Sequence, residues 1–112
     1  MKTSILILLL LYSCFSIAGA GTFAFNQVGV LKDNDKVYAL IQIDGELPLA
    51  PECAAEYKHQ ISFLIEDELG KLFYTNALTA VTAQKNVYLH YSENECGLWG
   101  SRPIATRIDL KK

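Results

Sequence analysis

The hydrophobic period of this chain changes twice, and that pattern decides its fold class. Val37, Ala39, Ile41 and Ile43 share one side of an alternating run, with Tyr38, Leu40 and Gln42 on the other. Ile61, Phe63 and Ile65 alternate in the same way. Leu69, Leu72, Phe73, Ala77, Ala80 and Val81 then recur at three and four residues, the stripe of an amphipathic helix. From Val87 to Tyr91 the period returns to two, and it does so again from Pro103 to Leu110, where Ile104, Thr106, Ile108 and Leu110 share a face. Strands therefore lie on both sides of one helix.

The punctuation agrees. Phe23–Leu31 is aromatic and β-branched and reads as a first strand, with Gly29 placed for a bulge. Lys32–Asp35 is a turn cluster, so the first two strands form a hairpin. Gly45–Tyr57, with Pro48 and Pro51, is a long loop, and Ser92–Arg102 is another. Glu66-Asp67-Glu68 suits the positive end of the helix dipole, and Asn86 suits a left-handed helix end. The order β-β-β-α-β-β predicts a mostly β chain with one helix, a five-stranded OB-type Greek-key barrel. Leu72, Phe73 and Val81 would close its open end. A helix laid across one face of a four- or five-stranded sheet is the competing arrangement.

The first 20 residues belong to a different category. Lys2 is followed by the apolar run Ile5–Leu11, then by Ala18-Gly19-Ala20 before Gly21. A charged start, a short apolar centre and a small-residue end describe an export signal, with cleavage between Ala20 and Gly21. The apolar run is far short of the ~20 residues that a membrane span needs, so no stable membrane insertion is expected. Leu11-Tyr12-Ser13-Cys14 offers a competing lipid-attachment box, which the bulky Tyr12 fits poorly. The mature chain, residues 21–112, is then one small domain, secreted or periplasmic. A multidomain enzyme, a repeat array and a long coiled coil are excluded by length.

Loss of Cys14 with the signal leaves Cys53 and Cys96, and a lone cysteine pair in a small exported chain predicts one disulfide. Closing so long a loop stabilises the fold by about 4 kcal/mol in the chain-entropy model. A metal centre is the rival, but two Cys with His59 and His90 have no ligand spacing.

The remaining chemistry is sparse. Asp33-Asn34-Asp35 continues with Lys36 and Val37 where a calcium loop needs further ligands and glycine, so it reads as a turn. With both cysteines bridged, no thiol nucleophile remains. No catalytic set, metal or cofactor is expected. Lys2 is the only charge in residues 1–20, and its loss takes the formal net charge from −2 to −3 without leaving a basic stripe, which argues against nucleic acid.

The segment Leu72–Asn86 followed by Val87-Tyr-Leu-His-Tyr91, then Cys96 and the closing strand Ile104-Ala-Thr-Arg-Ile108-Asp-Leu110, resembles the B subunits of subtilase-type cytotoxins. It also resembles a broad set of small exported bacterial proteins with one disulfide. The resemblance implies an OB fold. In toxin B subunits that fold builds a pentameric ring that binds cell-surface glycans.

The function expected is a non-enzymatic binding module for a glycan or a protein surface. A small secreted inhibitor or accessory protein acting by protein contact is the alternative. Trp99, Arg102, Tyr38, Tyr88 and His90 are the candidate binding residues. Trp99 can stack on a ligand from the Ser92–Arg102 loop, or fold back over the fold beside the disulfide. Leu40 and Leu64, facing away from the core, predict self-association into a homo-oligomer.

Overall fold

The computed structural model describes residues 19–112. Most of the segment read as an export signal, including Cys14, lies outside the described residues. The elements run β1 (Gly19–Asp33), β2 (Lys36–Ile43), a 3-10 turn at Glu52–Ala54, β3 (Gln60–Leu64), α1 (Glu68–Thr82), β4 (Asn86–Cys96), a 3-10 turn at Leu98–Gly100 and β5 (Pro103–Leu110). Among the described residues the protein is mostly β with one helix, as the periodicity requires.

The five strands follow one another as β1-β2-β3-β5-β4, and β4 returns to β1. All pairings are antiparallel except β3 with β5, which is parallel and rests on the single pair Ser62 and Ile104. β1 makes the closure work, because its first part (Gly19–Ala24) pairs with β4 and its second (Phe25–Asp33) with β2. The bend between them is a bulge at Asn26, where the register shifts between Phe25 and Gln27. Gly29, expected to bulge, instead pairs in register with Leu40. The strand bends where it changes partners, and a glycine is not needed there.

The β1–β2 turn places Asn34 and Asp35 at φ 51° and 62°. Two successive left-handed residues match the twist of a tight hairpin, and Asn and Asp tolerate that conformation best after glycine. The core comprises Phe25, Ala39, Ile41, Ile43, Leu47, Ile61, Phe63, Val87, Leu89, Tyr91, Ala105 and Ile108, with Ala77 and Ala80 from the helix.

Asp67 caps α1, its carboxylate accepting from the Gly70 N–H at 2.7 Å. The buried stripe is narrower than expected. Phe73, Tyr74, Ala77, Ala80 and Val81 pack on the core, while Leu69 and Leu72 are 56% and 58% exposed. Gly70 explains the offset: its face of the first turn lies against the Leu64 carbonyl, where no larger residue fits, and this rolls Leu69 and Leu72 outward. Phe73 then meets Phe63 edge-on at 5.6 Å. α1 ends at Thr82, and the left-handed residue that follows it is Gln84 at φ 54°, two residues before the expected Asn86, which is the first residue of β4.

β4 runs on to Cys96 through residues expected to be a loop. In β5 the register skips Thr106, since His90 pairs with Arg107 and Tyr91 with Ala105. That bulge changes the inward phase, so Pro103, Ala105 and Ile108 are buried while Thr106 and Leu110 are exposed. Cys53 and Cys96 are bridged, with their Cα atoms 6.3 Å apart. No helix among the described residues is long and apolar enough to cross a membrane.

Candidate functional site at the disulfide-braced turn

The segment Gly97–Arg102 folds into a compact knuckle laid over the outer side of β3. Gly97 N–H donates to the Arg102 carbonyl at 2.7 Å, and Arg102 N–H donates to that of Leu98 at 3.2 Å. Leu98 is fully buried, and its N–H donates to Ser62 Oγ at 3.3 Å, which in turn donates to the Pro103 carbonyl at 3.1 Å. This cover explains why Gln60, Ile61, Ser62 and Phe63 are buried in succession, although alternate residues of β3 face opposite ways. Two polar residues thus sit on the covered side with their hydrogen bonds made inside the fold.

Burying Leu98 forces its neighbour outward. Trp99 stands at φ 58°, a left-handed conformation that costs a bulky residue of order 1–2 kcal/mol, and its side chain is 51% exposed. Arg102 returns beside it. Its guanidinium carbon lies 3.4 Å from the ring centroid of Tyr57 and 4.7 Å from that of Trp99. Nε donates to Gln60 Oε1 at 2.7 Å and Nη1 to Ser101 Oγ at 2.7 Å. No carboxylate pairs with it among the described residues, where the one ion pair joins Arg107 and Asp109. Two of the five guanidinium donors are thereby used within the fold, and the cation rests on aromatic faces.

Tyr57 reaches Arg102 from the β2–β3 loop. The 3-10 turn Glu52–Ala54 carries Cys53, and the disulfide ties it to the end of β4 one residue before the knuckle. A cavity of about 270 Å³ opens there, lined by Glu52, Cys53, Ala55, Glu56, Tyr57 and Ser101. The arrangement offers aromatic faces, guanidinium and hydroxyl donors, and carboxylate acceptors within one patch.

The five candidate residues do not form one site. Trp99 and Arg102 come together. Tyr38 pairs with Leu31 and Leu64 at the far end of β3 from Gln60. Tyr88 and His90 are on β4, their rings edge-to-face at 5.0 Å, with Arg107 5.9 Å above Tyr88. His90 Nε2 is buried and has no hydrogen-bond partner among the described residues. Ala20 and Gly21, the expected cleavage pair, lie in β1 opposite His90 and Leu89. Among the described residues no three of His, Cys, Asp and Glu gather as metal ligands would. Sequence reasoning missed Tyr57, Gln60 and Ser101. Ser101 meets Arg102 as its chain neighbour. Tyr57 and Gln60 reach it through tertiary contacts, and only the bracing of the two loops by Cys53 and Cys96 hinted at them.

No family model, curated protein or solved structure matches the chain.

Proposed function

We propose that this protein is an exported binding module, an OB-type Greek-key barrel that recognises a glycan or protein surface through Trp99 and Arg102. The observation that carries the reading is the half-exposed Trp99 in a left-handed conformation beside a guanidinium seated on Tyr57. Strain of this kind persists where the surroundings impose it, and it clusters at binding sites. Trp, Tyr and Arg are the side chains that dominate binding surfaces, and an exposed indole face also stacks on a sugar ring. The OB assignment draws support from the strand order β1-β2-β3-β5-β4 with α1 between β3 and β4. The disulfide fits an oxidising compartment outside the cytosol.

A glycan array with mature protein, repeated with Trp99→Ala, tests the reading. Binding to defined sugars that the substitution abolishes supports a lectin-like module of the toxin-B-subunit kind. Silence across the array together with Trp99-dependent binding to a protein partner supports the inhibitor or accessory reading. Binding that survives Trp99→Ala unchanged moves the site elsewhere. Self-association belongs to the same proposal. Leu64 is 38% exposed on the outer side of β3, with Leu40 half-buried nearby on β2. Light scattering showing only a 10-kDa-scale monomer at about 100 μM, far above the Kd of most specific complexes, removes the oligomer.

A further inference from the structure

Two small-residue triplets end the export signal, and the fold distinguishes between them. Ala18-Gly19-Ala20 directs cleavage before Gly21, and Ser16-Ile17-Ala18 directs it before Gly19, since each puts small side chains one and three residues ahead of the cut. We propose that the signal is cleaved between Ala18 and Gly19, so that Gly19 and Ala20 remain as the start of β1. The inference rests on the export reading and goes beyond the binding function.

Both residues are integral to the closed sheet. Gly19 pairs with Tyr91 and Ala20 with His90, in continuous register with Gly21–Ala24 along β4. Gly19 is buried, and a Cβ added to it would fall within the Tyr91 ring, 2.8 Å from Oη. The ring therefore packs on glycine backbone and is fully buried, with its hydroxyl accepting from the Leu49 N–H at 3.1 Å. Cleavage before Gly21 would strip the cover from the largest core side chain and leave the His90–Tyr91 stretch of β4 paired with β5 alone. Ala20 is exposed and makes no such demand on side-chain size.

The two sites respond oppositely to single substitutions. Ala20→Leu places a bulky residue next to the cut before Gly21, but two residues past the cut before Gly19, where the peptidase reads nothing small. Ser16→Leu disturbs the site before Gly19 alone. The experiment is intact-mass measurement of exported wild type, Ala20→Leu and Ser16→Leu. The expected result is a wild-type chain starting at Gly19, unimpaired processing of Ala20→Leu, and accumulation of precursor or a shift to Gly21 in Ser16→Leu. A wild-type chain starting at Gly21, or blockage by Ala20→Leu with normal processing of Ser16→Leu, overturns the proposal while leaving the export reading intact. Retention of residues 1–18 in exported material overturns both. Because cleavage is read on the precursor segment, these outcomes do not depend on how stably each variant folds.

Discussion

The Arg102 guanidinium lies 3.4 Å over the ring of Tyr57, and this contact joins the β2–β3 loop to the turn that displays Trp99. A cation on an aromatic face contributes about 0.5–2 kcal/mol, more as water is excluded. Half-burial and the bond from Arg102 Nε to Gln60 place this pair in the middle of that range. A double-mutant cycle on Arg102→Ala and Tyr57→Ala should give a coupling of about 1 kcal/mol in denaturant melts. Additive losses would show that the Arg102–Tyr57 contact contributes nothing to stability.

Trp99 allows the strain to be separated from the contact. Trp99→Ala and Trp99→Gly both remove the indole, but only glycine is at ease at φ 58°. The glycine variant should be the more stable of the two by about 1 kcal/mol, and both should lose binding. Equal melting of the two would show that the backbone relaxes once the indole is gone, making the left-handed turn a consequence of Trp99 packing.

The Cys53–Cys96 bridge closes a 43-residue separation and braces the loop that carries Tyr57. Removing it with Cys53→Ala or Cys96→Ala should cost about 2–5 kcal/mol, with the double variant no worse than either single one. Thiol titration of the denatured, unreduced protein should find neither of these cysteines free. A melt unchanged by substitution would show that the closed sheet holds the loops without help.

Local signals made the elements legible, and tertiary contacts decided the details. Val37–Ile43 and Val87–Tyr91 could be read because each keeps its own alternation and buries one side. The inward side of β5 could not, because the bulge at Thr106 depends on its pairing with His90 and Tyr91 and not on its own sequence. Leu69 and Leu72 have the right spacing for the core, yet Gly70 docks on Leu64 and turns them out. In the site, Trp99 and Arg102 stood out by residue type. Tyr57 did not, because a lone tyrosine after a loop carries no periodic signal and its role arises only when the bridged loops meet.

Gly70 should resist the substitution that helix propensity favours. In an exposed helix, Gly→Ala gains about 1 kcal/mol. Here the added Cβ would meet the Leu64 carbonyl oxygen and lie 3.0 Å from Ile65 Cα, both backbone atoms with little room to move. Gly70→Ala should therefore destabilise by about 2 kcal/mol or more, as overpacking against fixed neighbours does. A stabilised Gly70→Ala would mean that α1 can slide off β3 at no cost.

Tyr91 gives the protein an alkaline limit. Burial raises its pKa above the ordinary tyrosine range, the Leu49 N–H donated to its hydroxyl opposes that shift, and the Glu93 carboxylate adds to it. The folded state thus holds the phenolic proton to higher pH than the unfolded chain does. The unfolded chain releases that proton first, so stability falls with pH. The contribution is fully present below the unfolded tyrosine pKa of about 10 and is lost as pH rises through the folded value. Tyr91→Phe keeps the ring and removes the proton, at a cost of about 1 kcal/mol at neutral pH for the acceptor taken from Leu49 N–H. The gap between wild type and Tyr91→Phe in denaturant melts should therefore be widest at pH 7–9 and narrow above about pH 10. A gap that stays constant across that range would show that Tyr91 ionises as freely in the folded protein as in the unfolded chain.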